Sequence, residues 1–150
     1  MSDDSTTLPE LHHLVPFHQT PPISQHWKST EGIFTFLWAT NTSHQAVGAS
    51  TCATTRHDSG TWTVALMREP SRCSVLTALL TFDVKGSFAD VPGVEILNVV
   101  AWRLEPEATN RGNIAIDGEE MPYGAIQAEV HKKLLRVYAR PKFALTLPTN

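Results

Sequence analysis

Hydrophobic and polar positions along this chain alternate more often than they recur at helical spacing. Ile33-Phe34-Thr35-Phe36-Leu37-Trp38-Ala39-Thr40 is dense in β-branched and aromatic residues and reads as a strand. Ser50 to Arg56 and Thr61 to Arg68 flank His57-Asp58-Ser59-Gly60, which predicts a hairpin with Gly60 free to take positive φ. In its second arm Trp62, Val64 and Leu66 fall on one face by alternation. Val94 to Glu105 is apolar on both faces at its centre and reads as one long strand between two layers. Asn113 to Ile116, Ala125 to His131 and Leu134 to Arg140 are shorter strand candidates.

One helix interrupts this pattern. It is predicted from Ser71, a candidate N-cap after Pro70, to Lys85, with Gly86 closing it. Val75, Leu76, Leu79 and Leu80 form an apolar stripe, widened by Phe82 and Val84. Taken alone, such a stripe predicts core packing. Internal repeats are absent from the sequence. The expected architecture is mainly β: an antiparallel β-sandwich-like domain over residues 31–140 with one amphipathic helix.

Residues 1–30 differ in character. Pro9, Pro16, Pro21 and Pro22 are mixed with Ser, Thr, His and Gln, and neither period is present, so a flexible segment is expected there. A tail is expected over 141–150. His12, His13, His18 and His26 invite a metal reading, but they lack the Cys–His spacing of a zinc site and a rigid frame to hold one.

Composition narrows the function classes. The 150 residues are 41% hydrophobic and 18% charged, with a formal charge of -3, which is not the footprint of a nucleic-acid binder. Cys52 and Cys73 have no metal spacing and are expected to be free thiols in a reducing compartment. The acidic start Met1-Ser2-Asp3-Asp4 is unlike a signal peptide, and no apolar run reaches the ~20 residues that span a bilayer. A cytoplasmic location is therefore expected, and the Asn41-Thr42-Ser43 sequon is read as chance.

The stretch richest in chemistry is Asn113-Ile114-Ala115-Ile116-Asp117-Gly118-Glu119, a short strand ending in two carboxylates separated by glycine. Such carboxylates are hard oxygen donors that suit magnesium on a nucleotide. Read on spacing alone, Asp117-Gly118 is a common hairpin turn.

Its surroundings add to that reading. Ala101-Trp102-Arg103-Leu104-Glu105-Pro106, Arg111-Gly112, Ile116-Asp117-Gly118-Glu119, Tyr123-Gly124 and Gln127-Ala128 through Val130-His131 resemble, in order and spacing, the end of sphingosine kinases. His57-Asp58-Ser59-Gly60 is similar to that family's Asp-x-Gly hairpin, and Ser71-Arg72 to the start of its lipid-side helix. The resemblance covers about Pro21 to Tyr138.

It implies an incomplete C-terminal β-sandwich domain that works with an N-terminal kinase domain. Asp117, Gly118 and Glu119 would face ATP and Mg2+, while Val75, Leu76, Leu79 and Leu80 would contact a sphingoid-base lipid. The helix departs from the family's more uniform leucine pattern at Cys73, Thr77, Thr81 and Asp83. No Gly-Gly-Asp-Gly-like phosphate loop occurs in these 150 residues, so no catalytic residue is assigned and the chain alone is expected to be inactive. The expected function is the C-terminal part of an ATP-dependent kinase acting on the primary hydroxyl of a sphingoid base, with peripheral membrane association in the full-length protein. The alternative is a non-catalytic remnant that binds lipid or a partner.

Overall fold

The computed structural model describes residues 13–19, 27–44, 55–81, 87–110, 112–132 and 134. Among these the protein is mainly antiparallel β with one α-helix. Strands β1 (Phe34–Thr40), β2 (Trp62–Arg68) and β3 (Val94–Val99) form a three-stranded sheet with β2 in the centre. Strand β4 (Ala101–Leu104) pairs with β7 (Ile126–Glu129), and β5 (Ile114–Ile116) pairs with β6 (Glu119–Met121).

The core lies on one face of the larger sheet. Opposed pairs Phe36↔Met67 and Trp38↔Ala65 on one side, and Met67↔Val94 and Ala65↔Ile96 on the other, bring six apolar side chains to that face. Ala78 of helix α1 (Arg72–Leu80), Phe88 of the 3-10 helix Ser87–Asp90, and Val91 close over it. Met67 and Phe88 are fully buried, and the Phe36 and Phe88 ring centroids are 5.8 Å apart. At the end of this face a hydroxyl relay replaces apolar packing. Thr55 Oγ1 and Thr63 Oγ1 are 2.7 Å apart, and Thr63 Oγ1 donates to Asn98 Oδ1 at 3.0 Å.

Several sequence expectations change against this frame. Both faces of β2 are buried from Thr63 to Met67, not only the Val64–Leu66 face. With β1 on one edge and β3 on the other, β2 has no free edge for a hairpin partner at 50–56. Thr55 and Arg56 lie outside any strand, and residues 50–54 lie outside the described residues. The long strand 94–105 is two strands. The chain bends at Val100 and changes sheets, since β2 ends opposite Val99 at Trp62 and β7 takes over as partner; Val130 N–H donates to Val100 O at 2.9 Å. Trp62 and Trp102 meet edge-to-face across this change, with centroids 6.2 Å apart.

The helix starts as the sequence predicts, with the Ser71 side chain accepting from Ser74 N–H. Its described part is shorter than Ser71–Lys85. Thr81 caps it, donating through Oγ1 to Thr77 O and Ala78 O. Phe82, Val84, Lys85 and Gly86 lie outside the described residues, as do residues 135–140 of the last strand candidate; Leu134 is in no strand.

Among the described residues, β1 and β3 each pair on one side only. A strand at a sheet edge, as β3 is among the described residues, is a template for further pairing. The isolated chain is expected to run in light scattering at a mass above that of a single copy. A well-behaved monomer across a tenfold concentration series would contradict this.

Candidate functional site

The carboxylates of Asp117 and Glu119 sit on the β5–β6 hairpin. Its register, Ile114↔Met121, Ala115↔Glu120 and Ile116↔Glu119, leaves a two-residue loop. Asp117 has φ 51° and Gly118 φ 89°, the doubly left-handed conformation of a type I′ turn. Asp tolerates that region and Gly has no Cβ to clash. An added Cβ at Gly118 would meet nothing within 4 Å, so the glycine answers to backbone conformation and not to crowding. The hairpin-turn reading and the carboxylate-presenting reading therefore describe the same local structure.

Strand alternation separates the acidic residues. Glu119 shares a face with Ile114, Ile116 and Met121, while Glu120 shares the opposite face with Ala115. Asp117, Gly118, Glu119 and Glu120 are all exposed. At the root of the hairpin the Tyr123 ring lies close over Gly112, where a Cβ would come within 3.0 Å of it. Among the described residues no group of three or more His, Cys, Asp or Glu converges on one point. Two exposed carboxylates suit a cation whose other ligands come from water and phosphate oxygens, as Mg2+ on a nucleotide does, better than a cage built by protein alone.

The four residues expected at a lipid chain separate in the structure. Leu76, Leu79 and Leu80 are 57%, 64% and 71% exposed, so they do not form the core stripe that their spacing predicted. The helix seats itself through Val75 and Ala78 instead; Leu76 and Leu80 lie round the cylinder from that contact, and Leu79, one turn after Val75, lies at its rim. Val75 and Leu79 line an apolar recess of about 220 Å³ with Phe36, Trp38 and Ala78; Leu76 and Leu80 do not. Phe36, Trp38 and Ala78 escaped the sequence reading. The i, i+2 placement of Phe36 and Trp38 on one face of β1 was the available signal. No helix among the described residues is long and apolar enough to cross a membrane.

The loop His57-Asp58-Ser59-Gly60 is exposed or half-exposed, with Gly60 at φ 76°. Arg56 Nε donates to Asp58 Oδ1 at 2.9 Å, and this hydrogen bond raises the Arg56 pKa from an already high value. Both side chains are open to solvent, so the pair contributes little to stability.

Compared with known protein families, the chain matches none. Over 121 residues it is 31% identical to human sphingosine kinase 2, a match that takes in 79% of this chain. The chain spans 18% of the length of that relative, and over that stretch it is similar to a sphingosine kinase.

Proposed function

We propose that this chain is the C-terminal part of an ATP-dependent sphingosine kinase. The similarity to human sphingosine kinase 2 carries this reading, and the exposed type I′ turn bearing Asp117 and Glu119 supports it. Phosphoryl transfer depends mostly on positioning and charge stabilisation. Magnesium, when bound with ATP, supplies the charge that neutralises the phosphates. Asp117 and Glu119 would hold it from the protein side, and the rigid two-residue turn fixes the carboxylates relative to each other. No Gly-Gly-Asp-Gly-like loop lies within these 150 residues, so the phosphate cradle and the base that activates the lipid hydroxyl are not assigned to any residue here.

On the lipid side, the recess between Phe36, Trp38, Val75, Ala78 and Leu79 is the proposed wall for part of an alkyl chain. Leu79 is the residue to change, because its exposure makes truncation nearly neutral for stability, within about 0.5 kcal/mol. Leu79→Ala is expected to weaken binding of a fluorescent sphingosine analogue severalfold while the thermal midpoint stays put. Unchanged binding in the folded variant would remove the recess from the lipid site. A second reading, a non-catalytic lipid- or partner-binding remnant, draws its support from the apolar recess alone. It predicts lipid binding in the chain and no turnover in any kinase context.

A further inference from the structure

Residues 13–19 belong to no helix or strand, yet they are bound as a ligand would be. The pairs Ala101↔Glu129 and Arg103↔Gln127 place Arg103, Gln127 and Glu129 on one face of the β4–β7 sheet. Glu129 Oε2 accepts the backbone N–H groups of His13 at 2.8 Å and Leu14 at 3.2 Å. Gln127 Nε2 donates to Val15 O at 3.0 Å. Arg103 donates to Phe17 O at 2.8 Å and Gln19 O at 3.0 Å, more weakly to Pro16 O at 3.4 Å, and its guanidinium lies 4.9 Å from the Phe17 ring centre.

All these hydrogen bonds reach main-chain atoms, and they run in sequence order, N–H groups at one end and carbonyls at the other. The reading side chains are themselves built in. The Glu129 side chain is 2% exposed and that of Arg103 5%. His131 Nε2 lies 3.1 Å from the other Glu129 oxygen. Glu105 Oε1 is 2.5 Å from Arg103 Nε, an ion pair by distance although the N–H is not aimed at the oxygen. Gln127 Oε1 is buried and has no hydrogen-bond partner among the described residues, leaving one more acceptor on this face. With residues 13–19 in place these groups are buried, and buried charges and amides are costly unless satisfied, so the main chain that covers them has to supply their partners.

We propose that the Arg103–Gln127–Glu129 face is a binding site for the main chain of a peptide that ends in a β-turn, occupied in this chain by its own residues 13–19, in which Gln19 N–H donates to Pro16 O at 2.9 Å. The partner it fits has two free N–H groups in succession, an apolar residue, then a position where proline is tolerated, then an aromatic ring against Arg103. Proline suits position 16 because only its carbonyl is read; at position 14 it would remove a donor to Glu129. Segment 13–19 then acts as a tethered competitor, and any such peptide added from outside must displace it. This inference is independent of the kinase reading.

The test uses the full chain carrying Leu14→Pro, a change in the strap and not in the sheet, and a fluorescein-labelled peptide of residues 11–21. Anisotropy is expected to show the native peptide binding the Leu14→Pro chain about tenfold or more tighter than the unaltered chain, because the competent fraction rises. A peptide with proline at position 14 should bind neither, and adding Gln127→Ala to the opened chain should weaken binding again. Equal binding to both chains, or binding to neither, would overturn the proposal. So would loss of a cooperative melt in the Leu14→Pro chain, which would make residues 13–19 a permanent part of the fold.

Discussion

Glu119→Gln is expected to lower turnover about 10²-fold in a chimera where the aligned stretch of this chain replaces its counterpart in human sphingosine kinase 2. The substitution is nearly isosteric, and the φ values of Asp117 and Gly118 that define the turn do not depend on residue 119. On the proposed reading, the variant would lose one negative charge beside a magnesium-bound nucleotide, where small errors of alignment cost much of the rate. Glu120 is the internal control. It is one residue on, equally acidic and exposed, but it points to the Ala115 face. Glu120→Gln should leave turnover within about twofold, since a surface charge away from the reacting groups acts weakly through solvent. Raising Mg-ATP should recover part of the Glu119→Gln loss. Equal rates for the parent chimera and both variants, at limiting and saturating Mg-ATP, would reduce the turn to a structural device.

Phe88→Ala is expected to destabilise the chain by about 3–5 kcal/mol, a large part of the ~5–15 kcal/mol that holds a domain together. Phe88 is fully buried, and it is packed on Phe36 and set in the cluster of Ala65, Met67, Ala78 and Val91. Removing its ring leaves a cavity between the sheet and the segment that covers it. Leu80→Ala, at a residue 71% exposed, should cost no more than about 0.5 kcal/mol. Urea melts of the two variants settle the contrast. The opposite order would mean that the leucine stripe, and not Phe88, closes the core.

That contrast also shows where sequence reading reached its limit. Ser71 as N-cap, the strand ending at Thr40 and the Asp117-Gly118 turn all follow from local chemistry, and all three are present. The helix face was misread because leucine spacing reports which residues are apolar, not which of them meet the sheet. Small Ala78 and half-buried Val75 are what the helix turns to the core, and the larger leucines stay outside. Val94 to Glu105 read as one strand because nothing in its residues records that β2 begins at Trp62, opposite Val99. Residues 13–19 looked unstructured because their own side chains have no period. Their hold comes from Arg103, Gln127 and Glu129, more than 80 positions away. At the candidate site, the hairpin was legible in the sequence and the recess was not, since Phe36 and Ala78 are brought together only by packing.

The most direct measurement is sphingosine phosphorylation with Mg-ATP by two proteins side by side: the 150-residue chain alone, and the unmodified chimera with human sphingosine kinase 2. The chimera is expected to form phosphorylated product while the chain alone stays at background. A folded chimera that makes no product, or turnover by the chain alone that Glu119→Gln abolishes, would contradict the division of labour proposed here.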